Sequence, residues 1–390
     1  MREEIIYIDR HNTDSFKWDA LEKLYGDKDM LAMWVADMDF KVPAAVREAQ
    51  HKYVEMGAQG YYLTPESYYG AFIDWEKERH GHTVKREHIR WSPGVVAAFN
   101  WLVQILTEKD DAILLQMPVY HPFHFAVKDN ERKLIGCPLV NANGRYSIDF
   151  AAFEAAVKEN NVKMFILSSP HNPVGRVWTR EELKTMLDIC KENGVIVLSD
   201  EIHQDIVFAP NQHIPSASVG DYDDMLVTLT APSKTFNLAA CQNSFVIIPN
   251  DDIRKKFDAY TSSIHVTGGT PFGYIAAEAA YRGGRDWLEG ILEIIHGNYL
   301  YVKETLAKEL PMAVVSPLEG TYLMWIDFGA YLKPEEIKPF MQDKCKIAFN
   351  LGKIFGGDDT ATFIRMNLAT SRENVAEAVK RIVENMTCAY

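Results

Sequence analysis

The sequence predicts an α/β fold: a large domain built on a mostly parallel sheet flanked by helices, plus a smaller α+β domain. Three observations predict it. Residues 163–168 (KMFILS) and 195–199 (VIVLS) are short apolar runs of the kind seen in strands buried on both faces. Between them lies a helical pattern, so the three form a βαβ unit with a right-handed, parallel connection. Beyond Pro311 the pattern changes to mixed strand and helix.

Each element has its own signal. Gly94, in Ser92-Pro93-Gly94-Val95-Val96, precedes an apolar stretch with helical spacing. Residues 112–115 read as a strand that ends at Met117-Pro118-Val119-Tyr120, and residues 134–139 as another. After the 163–168 strand, Ser169-Pro170-His171-Asn172-Pro173-Val174-Gly175 is turn chemistry. Thr179 and Glu182 form a capping-box pair. Leu183, Met186, Leu187 and Cys190 follow at helical spacing, and Gly194 is a natural helix stop. Residues 225–230 read as a third strand ending near Lys234, and 245–248 as a fourth. Residues 286–310 read as one long helix broken by Pro311, 321–326 as a strand and 373–383 as a helix. The expected domains are 45–283 for the large one and 1–44 with 284–390 for the small one.

Composition bounds the partners. The chain has 390 residues, 47% hydrophobic, with 41 basic and 54 acidic side chains and a formal net charge of −13. An acidic balance disfavours nucleic acid and anionic membranes, which attract basic faces. The five cysteines, Cys137, Cys190, Cys241, Cys345 and Cys388, form no CxxC pair; free thiols suit a reducing cytosol. The N-terminus is charged rather than apolar, and no run of about 20 apolar residues is present. A cytoplasmic protein that neither spans membranes nor binds nucleic acid is expected.

Three polar residues stand out by position. Asn172 lies just past the first strand of the βαβ unit, Asp200 ends the second, and Lys234 lies just past the third. In a parallel sheet these places share the carboxyl edge, where α/β folds bind ligands. Singly, each has a bland reading as turn residue, helix cap or surface lysine. Together they describe a pyridoxal phosphate pocket. A lysine among apolar neighbours forms a Schiff base, a carboxylate keeps the pyridine ring an electron sink, and an amide meets the ring oxygen. Gly94-Val95-Val96, leading into a helix, offers backbone N–H groups to a phosphate. Tyr120 sits at another strand end, placed to stack on a ring.

These residues resemble the class I/II aminotransferase superfamily of fold-type I pyridoxal phosphate enzymes. The likeness runs nearly end to end. Its marks are residues 169–175 (SPHNPVG), 199–203 (SDEIH), 231–237 (APSKTFN) and 363–369 (FIRMNLA). Residues 12–19 (NTDSFKWD) and 34–40 (WVADMDF) resemble the cystathionine β-lyase, or C–S lyase, branch. The resemblance implies a seven-stranded sheet of the aspartate aminotransferase type and a homodimer with shared active sites. It implies that Lys234 holds the cofactor and shuttles protons, Asp200 pairs with the pyridine nitrogen and Asn172 with the ring oxygen. Tyr120 would stack on the ring, the N–H groups of Val95 and Val96 would hold the phosphate, and Tyr61 would reach the neighbouring subunit's phosphate. Arg365, helped by the backbone at Ala36, would clamp the carboxylate of an amino-acid substrate. Departures from the aminotransferase pattern fall at His203, where many members have tyrosine, at Gln242, where many have a basic residue, and at Ala231, where a serine is typical. Ser233 remains as a hydroxyl for the phosphate.

The implied reaction is cleavage of the Cβ–S bond of cystathionine or a cysteine-type amino acid, giving a thiol, ammonia and pyruvate. Amino transfer to a 2-oxo acid is the alternative, and a non-enzymatic regulator on the same fold is a second class. A metal site would have to draw on His80, His82 and His88, read as part of a solvated turn over 76–88, or on His121 and His124, read as shaping the cofactor pocket. No metal is expected.

Overall fold

The structure, a computed structural model, describes residues 3–387. Cys388 and the Met1-Arg2 start of the charged N-terminus lie outside the described residues. The centre is a seven-stranded sheet. Its strands are β1 (Ile89–Ser92), β2 (Ala112–Met117), β3 (Lys133–Pro138), β4 (Met164–Ser168), β5 (Ile196–Asp200), β6 (Leu226–Thr230) and β7 (Ser244–Ile247). In space they run β3-β2-β4-β5-β6-β7-β1. β7 is antiparallel to both its neighbours, and every other pairing is parallel.

Both faces are covered, which is why the strands read as continuous apolar runs. Phe165 and Leu167 of β4 pack with Leu114, Val197 and Leu226 against helices Phe150–Glu159 and Arg180–Glu192. Met164 and Ile166 point the other way, with Ile113, Leu115, Leu198 and Val227, onto helices Val95–Leu106, His121–Lys128 and Asp251–Ser263. This is the period of two expected of a pleated strand.

Helix Arg180–Glu192 starts as its sequence signals. Thr179 Oγ1 accepts from the Glu182 N–H at 3.1 Å, and the Glu182 carboxylate accepts from the Thr179 N–H at 2.8 Å. It ends at Gly194, whose φ of +66° suits a residue without a Cβ, and the next N–H, of Val195, donates to the Cys190 carbonyl at 2.9 Å. Thr179→Ala is expected to cost about 1 kcal/mol in urea unfolding, leaving turnover unchanged.

A four-stranded antiparallel sheet follows, made of β8 (Val314–Val315), β9 (Leu323–Asp327), β10 (Asn350–Leu351) and β11 (Phe363–Asn367) in the order β8-β9-β11-β10. The long helix, Arg285–Glu309, packs beside helix Arg372–Thr387. The N-terminal segment joins this part of the chain, since Leu31–Ala32 pairs in parallel with Ile347–Ala348.

Residues 12–19 and 34–40 interlock. Lys17 and Asp39 form an ion pair at 2.6 Å with both side chains fully buried. The other Asp39 oxygen accepts from Trp18 Nε1 at 2.9 Å, and Trp34 Nε1 donates to the Lys17 carbonyl at 2.9 Å. Asn367 Nδ2 binds the carbonyls of Val35 and Asp37 at 2.5 and 2.7 Å. The segment is thereby locked to β11 of the four-stranded sheet.

One expectation is overturned. Residues 76–88 are not a solvated turn. Glu66–His80 is a helix, and the Glu76 and His80 side chains are buried. The charges misled because their partners lie far away in sequence. His80 Nε2, Trp75 Nε1 and Arg79 Nε meet Asp205 Oδ1 at 2.9, 2.9 and 3.1 Å, and Gln204 Nε2 donates to Glu76. Burial pushes the Glu76 carboxyl up to about 8. Among the described residues no group of three or more His, Cys, Asp or Glu side chains is arranged to hold a metal ion, and no helix is long and apolar enough to cross a membrane.

Candidate active site

The sheet order reverses between β2 and β4, because β3 lies outside β2 while β5 and β6 continue on the far side of β4. A crevice forms outside the carboxyl ends of strands at such a point. Tyr120 follows β2 and Asn172 follows β4, so they flank it, while Asp200 ends β5 and Lys234 follows β6. One cavity there is lined by Ala36, Val95, Val96, Tyr120, Asn172, Asp200, His203, Ser233 and Lys234, with Gly94, Ser168 and Asn243 among others. The sequence-predicted residues are therefore brought together, with two exceptions. Arg365 lies behind the cavity wall, its Nη1 donating to Asn172 Oδ1 at 3.0 Å. Tyr61 is fully exposed and does not line the cavity of its own chain.

The amine and the carboxyl group are both tuned by burial. Burial lowers the Lys234 amine to about 8; Arg365 adds to this, while Asp37 and Asp200 oppose it. Its Nζ donates to the Ala36 carbonyl at 2.6 Å, which also accepts from the Tyr322 hydroxyl at 2.8 Å. That carbonyl is an acceptor and so cannot bind a substrate carboxylate; only the N–H of Ala36 can. Burial raises Asp200 to about 7, against the pull of the Ile202 N–H, 3.1 Å from Oδ1, and of Lys234. A cationic nitrogen beside it would restore its charge. Burial first, then the charges of Lys234 and Arg365, hold His203 well below the usual imidazole range, so this ring is neutral.

Arg365 sits on β11 between Trp325 of β9 and Asn350 of β10. The guanidinium is buried, stacks on Phe355 at 4.8 Å, and donates through Nη2 to Asn350 Oδ1 at 2.6 Å and to the Trp34 carbonyl at 3.4 Å. Among the described residues it meets no carboxylate, so its charge is balanced only by dipoles.

The donor set fits a phosphorylated pyridine. Helix Val95–Leu106 begins at Gly94 with no side-chain cap, which leaves its first N–H groups facing the cavity. A Cβ at Gly94 would meet nothing within 4 Å. Asn243 Nδ2, Arg365 Nε and His203 Nδ1 are buried without a protein partner, and unpaired buried polar groups are costly unless a ligand takes them. Sequence reasoning missed Asn243, which has no motif around it and is held by the Tyr68 hydroxyl at 2.9 Å. It also missed Asn350, Asn367 and Asp37. His121 and His124 do not line the cavity, contrary to expectation. His121 packs instead on Tyr120, Phe125 and Phe355.

The family model for aminotransferase class I and II matches residues 28–382. The chain belongs to this family. Within it, the chain is 39% identical over 376 residues to cystathionine beta-lyase PatB of Bacillus subtilis (strain 168), covering 96% of this chain and 97% of that one. Among solved structures it is similar to cystalysin of Treponema denticola, which contains pyridoxal 5'-phosphate (TM-score 0.95, 35% identity, 100% of both chains). It is also similar to the PLP-bound C–S lyase of Staphylococcus hominis (TM-score 0.92, 34% identity, 98% of this chain and 97% of that one).

Proposed function

We propose that this member of the class I and II aminotransferase family is a pyridoxal phosphate-dependent carbon–sulfur β-lyase. Its substrates are cystathionine and cysteine-type amino acids, and its products a thiol, ammonia and pyruvate. One observation carries the reading: a lowered amine, Lys234, and a carboxyl group poised near neutrality, Asp200, meet at one cavity backed by the buried guanidinium of Arg365. The likeness to a cystathionine beta-lyase and to C–S lyases supports elimination over amino transfer.

When bound, pyridoxal phosphate supplies a pyridine ring that draws off the electron pair left on the substrate carbon. Lys234 is the base for the Cα proton and then the acid for the leaving sulfur; an amine near 8 suits both tasks at neutral pH. Asp200 carries the negative charge at the ring nitrogen. Asn172 has its Oδ1 fixed by Arg365, which leaves its Nδ2 to donate to the ring oxygen, and Tyr120 covers the ring. Val95 and Val96 N–H groups, Ser233 and Asn243 hold the phosphate. Neutral Gln242 is exposed and does not line the cavity, so the phosphate leans on these dipoles. Arg365 and the Ala36 N–H hold the substrate carboxylate.

The working unit in this reading is a homodimer, in which Tyr61 of the partner subunit reaches the phosphate. It is supported by the exposure of Val54, Met56, Tyr61 and Leu63 close together in sequence, since clustered exposed apolar groups mark interaction sites. The same reading divides the subunit into a large domain, 45–283, and a small one, 1–44 with 284–390. It places the protein in the cytoplasm, in line with the unpaired thiols of Cys137, Cys190, Cys241 and Cys345.

Purified protein supplied with L-cystathionine should release pyruvate and free thiol together. Rapid amino transfer to a 2-oxo acid without thiol release would overturn the lyase reading. Arg365→Lys should lower kcat/KM about 100-fold, because an ammonium lacks the planar fork that matches a carboxylate. Steady-state kinetics with L-cystathionine checks this.

A further inference from the structure

The Lys234 amine needs an anion of its own once a substrate is present. On the reading above, the substrate carboxylate occupies Arg365 and the ring nitrogen occupies Asp200. The amine accepts a proton when the Cα–H bond breaks. The Cα electron pair then forms the Cα–Cβ double bond as the Cβ–S bond breaks, and sulfur leaves with that bond's pair. The proton passes from Lys234 to sulfur, giving a neutral thiol and a neutral amine. Between the two transfers Lys234 is an ammonium inside a buried site that already holds Arg365.

A third carboxylate is carried by the residue next to its backbone contact. Lys234 Nζ rests on the Ala36 carbonyl, and the next residue is Asp37. The turn is tight, with the Asp37 N–H donating to the Val35 carbonyl at 2.9 Å, and Asn367 Nδ2 clamps it from β11. Asp37 Oδ2 accepts from Arg10 Nη1 at 2.8 Å, whereas Oδ1 is buried with no partner. Arg10 is shared with the Met38 carbonyl and Asp39, so the Asp37 carboxylate is held at one oxygen and open at the other. The ionisable groups that act on the Lys234 amine are Asp37, Arg365 and Asp200; the Tyr322 hydroxyl shares its Ala36 acceptor, and the charge of the amine acts on His203. Of the two carboxylates, Asp37 exerts the stronger pull.

We propose that Asp37 is the positioning residue that holds the Lys234 ammonium between the two proton transfers, receiving it at Oδ1 while Arg10 fixes Oδ2. The role rests on the lyase reading above, but its electrostatic half does not.

Two measurements on the full-length chain test it. The first strips the cofactor and follows, against pH, the rate at which Lys234 captures added pyridoxal phosphate, which requires the neutral amine. Asp37→Asn should move the midpoint down by about one pH unit. Arg10→Gln, which frees the carboxylate, should move it up, and this variant keeps the test open if Asp37→Asn does not fold. The second compares leaving groups in the holoenzyme. β-Chloro-L-alanine loses chloride, which needs no proton, whereas an S-alkyl-L-cysteine loses a sulfur that does. Asp37→Asn should lower kcat for the S-alkyl substrate about tenfold more than for the chloride. Equal losses on both substrates, or a midpoint unmoved in both variants, would overturn the proposal. If wild-type protein releases no thiol from any substrate, the lyase reading falls, and with it the proton-return role; the capture midpoint still reports whether Asp37 acts on Lys234.

Discussion

Lys234→Ala is expected to lower thiol release from L-cystathionine by about 10⁴-fold, the upper end of what a positioned acid–base group contributes. Other groups at the cavity cannot replace the amine. Asp200 is needed at the ring nitrogen, Tyr322 is raised well above the usual phenol range by burial, and His203 is too poor a base. The loss should appear in kcat rather than in KM, because Arg365, which holds the substrate carboxylate, is untouched. A small added amine, such as methylamine, should restore a measurable part of the rate in a concentration-dependent way. Activity within tenfold of wild type would assign the proton transfers to another group.

The second large effect concerns stability. Asp39→Ala strands the Lys17 ammonium in a site where both side chains have no solvent exposure. It also removes the acceptor of the Trp18 indole N–H. Breaking one side of such a pair costs about 3–5 kcal/mol, so the urea midpoint should fall accordingly. The double variant Lys17→Met, Asp39→Leu should recover part of that stability, because two apolar groups leave no buried charge behind while the Trp18 indole N–H stays unpaired. It should not recover turnover to the same extent, since residues 34–40 also place the Ala36 carbonyl against Lys234. Unfolding curves and thiol release measured on the same three proteins separate the two effects. If the single variant is as stable as wild type, the ion pair does not hold this segment.

Much of the fold was legible locally. The strands buried on both faces leave no polar alternation to confuse with a helix, and the Thr179–Glu182 box and Gly194 mark one helix at both ends. Asn172, Asp200 and Lys234 were findable because each stands at a strand end, and a parallel sheet brings strand ends together. Strand β1 was not read, because Ile89, Arg90, Trp91 and Ser92 show neither a long apolar run nor alternation; the strand is made by pairing with β7. The end of the helix Glu66–His80, from Glu76 onward, reads as a solvated turn for the opposite reason. Its charges look solvated along the chain and are buried by contacts with Asp205 and Gln204, more than 120 residues away.

The sequence by itself determined the parallel sheet, its carboxyl edge, and the amine, carboxyl and amide that meet there, because these follow from short-range pattern and the geometry of strands. The tertiary structure decided how those groups are charged and what surrounds them. It buried Lys234 and Asp200 enough to bring both near neutrality, and it set Arg365 behind Asn172. It also folded residues 34–40 over the site, so that the Ala36 carbonyl, next to Asp37, accepts from an amine nearly 200 residues away. Burial and long-range charge are properties of packed neighbours, and neighbours across a fold leave no spacing for a sequence pattern to carry.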